Sequence, residues 1–154
     1  MRLTIACVGR PRGFAAEAAE LYLERIERYR PVRLVPVRSE RDADREPAVC
    51  RRREGERLLG AIPAGGRLVA LDARGQAFSS EAFAAFLRKN LEGGVRELAF
   101  AVGGPAGLSD EVRGRADLTL SLSALTMAHE VALVVLCEQL YRAFTILRGE
   151  PYHK

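Results

Sequence analysis

Residues 96–109 read RELAFAVGGPAGLS. An apolar run of strand length stops at two glycines, a proline stiffens the turn, and Ser109 stands where a helix is capped. The pattern predicts a strand over 96–102 and a short helix ending near Arg115. A strand, a glycine-rich turn and a helix in that order make the repeating unit of an α/β fold. Gly103 and Gly104 suit two readings at this point. They let backbone approach a ligand or adopt positive φ, or they close a tight turn with no ligand at all.

The same alternation extends in both directions. RLVALD (67–72) predicts a third strand, followed by the loop ARGQAF. Ser79 or Ser80 caps a helix over 81–92, with Glu81 in its first turn and EGG at its end. DLTLSLS (117–123) predicts a fifth strand, and 127–147 a long helix. Toward the N-terminus, RLTIACV (2–8) is a strand and 13–30 a helix ended by Pro31. VRLVPV (32–37) is a second strand, which Pro36 assigns to a sheet edge. SERDADRE is a polar connection, and Pro47 opens a charged helix over 47–62. Five strands alternating with five helices predict an open α/β domain with a mostly parallel sheet and helices on both faces. Ligands in such sheets sit where strands end, here at LDARG, GGPAG and SALTMAH. The long last helix is apolar on more than one face. One side meets the sheet and the other asks for a second surface, which suggests a homodimer seam.

Composition narrows the class. A chain of 154 residues fits one domain by length. With 48% apolar and 29% charged residues it has enough core to fold without disulfide or metal. Cys7, Cys50 and Cys137 are far apart and lack metal or disulfide spacing. No run of about 18 apolar residues spans a membrane. The opening run is too short for a signal peptide, so a cytoplasmic location is expected. Residues 1–60 hold 14 Arg against 10 Asp and Glu, whereas 61–154 hold 10 basic and 10 acidic residues. That is either a solvated helix surface or a basic face for a polyanion. The chain has no G-x-G-x-x-G after its first strand, no G-K-[ST] and no G-x-S-x-G. Dehydrogenase, NTPase and α/β-hydrolase chemistry therefore lack their signatures. His129 reads as a cap or a packed side chain, and Arg142 as the i+4 partner of Glu138.

The segments VGR, EGERLL, GGPAGLS, SLSALTMAH and EQLYRAFTILRGEPYHK occur in the order found in the bacterial RlmH family. The chain resembles these small methyltransferases of the SPOUT superfamily from Met1 to Lys154. The resemblance implies a single domain over 1–154 and a C-terminal trefoil knot over roughly 67–154. It implies S-adenosyl-L-methionine held by Leu71, Gly103, Gly104, Leu122, Ser123, Ala124, Leu125, Thr126 and Met127. It implies methylation of N3 of a pseudouridine in 23S rRNA of the assembled ribosome, by a homodimer without metal or membrane. Removing the N3 proton calls for a base, and a neutral imidazole suits that task near pH 7. His153, Tyr152 and Arg142 are the catalytic candidates. Arg10, Arg12 and Lys154 are candidate phosphate contacts. A SPOUT enzyme with another rRNA or tRNA target, or a ribosome-binding factor without catalysis, are the alternatives. Three positions depart from the family. Ala128 replaces a common Pro, Leu133 a common Arg, and Ala106 an acidic residue of some relatives.

Overall fold

The computed structural model describes residues 1–41 and 45–154. The middle of the SERDADRE connection, 42–44, lies outside the described residues. The elements are β1 (Arg2–Val8), α1 (Gly13–Glu27), β2 (Val32–Val37), α2 (Pro47–Ala61), β3 (Arg67–Ala77), α3 (Ser80–Glu92), β4 (Glu97–Val102), α4 (Asp110–Arg115), β5 (Leu118–Ser121) and α5 (His129–Arg148). The strands form one sheet in the order β2-β1-β4-β3-β5, and every pairing is parallel. Pro36 pairs with Cys7 on the edge strand β2, where its missing N–H faces no neighbour.

Side chains alternate across the sheet, and their sizes set the two layers. Leu3, Ile5, Cys7, Val69, Leu98, Phe100 and Val102 point to the face covered by α1, α3 and α5. Ala6, Ala70, Ala99 and Ala101 point to the other face, beside Val8 and Leu68, and meet Leu58 of α2 and Val112 of α4. The small side chains let α2 and α4 settle close to the strands. α5 buries Leu133, Leu136, Leu140 and Phe144 and packs against both α1 and α3. Val131, 37% exposed, and the half-buried Val134 and Val135 leave part of its apolar surface outside those contacts.

β3 departs from expectation. It does not end at Asp72 but continues to Ala77, and ARGQAF is not simply a loop. Leu71 and Gln76 both pair with Leu120, so 72–75 bulge out between two registers. Gly75 passes so close to β5 that a Cβ there would lie 2.6 Å from the Thr119 carbonyl oxygen. The helix caps follow expectation. Ser79 accepts from Ala82 N at 3.1 Å, and Ser109 from Val112 N at 3.3 Å.

Candidate cofactor cavity and C-terminal cluster

The strand ends of β3, β4 and β5 surround a cavity of about 570 Å³. Its walls include Leu71, Gly103, Gly104, Leu122, Ser123, Leu125, Thr126 and Met127, all singled out by sequence. Ala124 is exposed and takes no part in the lining. The cavity also takes in Asp72, Ala73, Pro105, Ala128 and His129, which lie in the three strand-end loops expected to hold a ligand, together with Leu108 and Leu120. The strand-end rule marked the loops, but none of these seven side chains was singled out as a cofactor contact. His129 is half-buried at the start of α5 and borders a second, small cavity with Cys7, Arg10, Pro11 and Leu133.

The glycine readings sort themselves by geometry. Positive φ falls at Gly107 (81°), not at Gly103 or Gly104. A Cβ on Gly103 would sit 2.9 Å from the Gly107 carbonyl carbon, and one on Gly104 2.8 Å from Val8 Cγ1. The loop needs these glycines to fold upon itself, with Gly107 N donating to Gly104 O at 2.9 Å. The departures also gain a structural meaning. Ala128 has φ −56°, a value proline adopts without strain. Leu133 is 2% exposed, so its side chain serves the core.

At the cavity rim, Asp72 receives the Arg74 side chain at 3.0 Å and Arg113 at 3.3 Å. The Arg74 hydrogen bond, ahead of the lesser pull of Arg113, holds its carboxyl down at about 2. The Asp72 side chain is 12% exposed. Its folded value lies below that of the unfolded chain, so the stabilisation is full above about pH 4 and fades as pH falls through about 2. Asp72→Asn should therefore lower stability by about 1–2 kcal/mol at neutral pH, after allowance for solvent screening. Denaturant melts should show that difference shrinking toward zero near pH 2.

The tail forms a separate cluster. Gly149 takes φ 67°, Gly149 N reaches Ile146 O at 3.1 Å and Glu150 N reaches Thr145 O at 2.9 Å. This Schellman turn ends α5 and folds the tail back along it. Tyr29 donates to Glu150 at 2.5 Å. Tyr152 donates to Glu138 at 3.1 Å, stands edge-on to Tyr141, and carries the Arg142 guanidinium over its ring at 4.8 Å. Burial first, then hydrogen bonds with Tyr22 and Glu138, push the Tyr152 phenol upward. Arg142 holds Glu138 at 2.5 Å and lies 3.4 Å from His153 Nδ1. His153 Nε2 meets Glu81 at 2.9 Å. The first-turn backbone N–H of Glu81, and then His153, hold the Glu81 carboxyl at about 2.

The structure thus brings Arg142, Tyr152 and His153 together but leaves all three out of the cavity lining. From His129 to Arg142 the helix climbs roughly 20 Å at 1.5 Å per residue. Arg10 and Arg12 are exposed, Arg10 at the strand-end side near His129, and Lys154 is exposed beyond the cluster. Phe14 (65% exposed), Leu21 (45%), Val131 (37%) and Leu125 (75%) leave apolar surface on α1, α5 and the third loop. No helix among the described residues is long and apolar enough to cross a membrane.

Known proteins share this architecture. The family described as "Predicted SPOUT methyltransferase" matches residues 1–153. A protein of Syntrophotalea carbinolica named Ribosomal RNA large subunit methyltransferase H is 46% identical over 154 residues, covering 99% of each chain. A protein of that name from Anaeromyxobacter is 48% identical and covers 100% of both chains. Among solved structures, a probable methylase family protein from Haemophilus influenzae superposes with a TM-score of 0.51 at 12% identity. That likeness covers 96% of this chain and 66% of the other, and concerns the fold alone.

Proposed function

The chain belongs to the SPOUT methyltransferase family, and from that premise we propose that it methylates N3 of a pseudouridine in large-subunit ribosomal RNA, with S-adenosylmethionine as donor. The relatives' shared name supplies the rRNA target class. The observation that carries the reading is the cavity of about 570 Å³ at three strand ends. It fits a nucleoside-sized cofactor. Leu71, Leu122, Leu125 and Met127 offer apolar walls, and the backbone of 103–104, 122–123 and 125–126 offers polar edges. When bound, the cofactor supplies an electrophilic sulfonium methyl group.

The protein's own part is to hold the target base and handle one proton. His153 accepts the N3 proton or orients the base, Arg142 stabilises the imide charge that develops, and Tyr152 packs on the ring. Arg10, Arg12 and Lys154 hold phosphate. Because the tail and the cavity lie far apart along α5, the site is completed between two copies. The exposed apolar residues Phe14, Leu21 and Val131 support a homodimer, in which one chain's tail serves its partner's cavity. The reading also includes one domain over 1–154, a trefoil knot over roughly 67–154, and work in the cytoplasm on assembled ribosomes.

Calorimetry with S-adenosylhomocysteine and methyl transfer to ribosomes test it together. The expected result is binding in the micromolar range and one methyl group on the rRNA pseudouridine. Failure of well-folded protein to bind the cofactor product overturns the reading. Methyl transfer to another base overturns the target only. Thr126→Trp, which fills the cavity mouth, and His153→Ala should each inactivate the homodimer. Mixed and re-equilibrated, they should recover about a quarter of wild-type activity, because half the dimers then hold one intact site. No recovery would place each site within a single chain.

A further inference from the structure

Glu54 lies midway along α2 in a segment, RRREGER, that reads as a solvated helix surface. It is instead 2% exposed. Buried oxygens are expected to have partners. Oε1 accepts the Glu40 backbone N–H at 2.9 Å. Oε2 is buried and has no hydrogen-bond partner among the described residues.

The place of that oxygen is specific. A Cβ on Gly104 would lie 3.2 Å from it, so it rests against the Gly104 backbone. Gly104 is part of the cavity wall, whereas Glu54 is not, so the carboxyl group stands behind that wall. Two neighbours brace the same loop. Arg51 donates to Ala106 O at 3.3 Å, and a Cβ on Gly55 would overlap Ser109 Oγ at 2.3 Å. α2 therefore touches the loop at its start, middle and end.

We propose that Glu54 is a positioning residue for the cofactor, whose unpartnered Oε2 accepts a backbone N–H of the Gly103–Gly104 wall when that wall closes on the bound nucleoside. The proposal rests on the cavity being the S-adenosylmethionine site. In the open wall the oxygen is buried without a partner. Closure satisfies it, so part of the hydrogen-bond energy appears only with ligand present.

Glu54→Gln in the full chain separates this role from plain structural support. Glutamine keeps the shape but only one oxygen. Whichever way its amide turns, either the Glu40 N–H or the wall N–H loses its acceptor. The expected result is a melting temperature within a few degrees of wild type and S-adenosylhomocysteine binding weakened on the order of tenfold. Amide exchange at Gly103 or Gly104 should slow on ligand binding more in the wild type than in the variant. Wild-type protein that binds the ligand, beside a variant with equal affinity and equal protection, overturns the Glu54 proposal alone. Wild-type protein that does not bind overturns the cofactor reading and this proposal together. Should Glu54→Gln fail to fold, the wild-type exchange decides: unchanged Gly103 and Gly104 rates on binding refute it.

Discussion

Gly75→Ala should lower the melting temperature by about 10 °C, the largest stability loss expected from adding a single methyl group to this protein. Its Cβ would lie 2.6 Å from the Thr119 carbonyl oxygen, 2.7 Å from the Thr119 carbonyl carbon and 2.8 Å from the Leu120 carbonyl carbon. All three are backbone atoms, so no side chain can swing aside. Relief requires β5 to move away from β3, at a cost of about 3 kcal/mol or more. Movement of β5 also shifts Leu120 and Leu122, which line the cavity, so cofactor affinity should fall with stability. Gly60→Ala is the matched control. A Cβ there meets nothing within 4 Å, and alanine is the better helix residue by about 1 kcal/mol, so that variant should melt slightly higher. If Gly75→Ala melts like the wild type, the tight β3–β5 seam is wrong.

Arg142→Ala should reduce methyl transfer on the order of a hundredfold or more while changing S-adenosylhomocysteine affinity less than about twofold. The guanidinium binds Glu138, covers Tyr152 and neighbours His153 Nδ1. Its loss therefore disorganises every catalytic candidate at once. The nearest cavity residue on the same helix, Ala132, lies roughly 15 Å away, so cofactor contacts in that chain are spared. Stability should drop by less than about 1 kcal/mol, since the ion pair with Glu138 is partly solvated. His153→Ala should reproduce the loss in turnover. The two together should cost little more than either alone, because they act as one unit. A variant that bound cofactor poorly yet kept full turnover would detach the tail cluster from the chemistry.

How far the sequence foretold this molecule depends on the element. Runs such as RELAFAV and RLTIACV carry both period and boundaries, and the caps Ser79 and Ser109 can be read from type and position. The extension of β3 to Ala77 could not, because the 72–75 bulge breaks the alternation that marks a strand. Glu54 was hidden by its charged neighbours, since burial there comes from the loop above it and not from α2 itself. Much of the apolar surface of α5 that suggested a partner chain packs on α1 and α3, and Val131 is left facing outward. The cavity loops were legible because parallel strands bring their ends to one edge. The tail's distance from them was not, since motif order along a chain does not say where a folded-back terminus comes to rest.

The all-parallel sheet has a kinetic consequence. With no hairpin between the strands of the described residues, none of them pairs with its neighbour by a short turn. Leu3 must find Val32, Val69 must find Leu118, and Arg2 must find Glu97 before the central strands join. Each pairing closes a long loop before any contact repays the lost entropy. The protein should refold in milliseconds to seconds, not microseconds. Its nascent chain meanwhile keeps β1 waiting for β4, which is complete only at residue 102 of 154, so one edge of this central apolar strand stays unpaired until about two-thirds of the chain has been made.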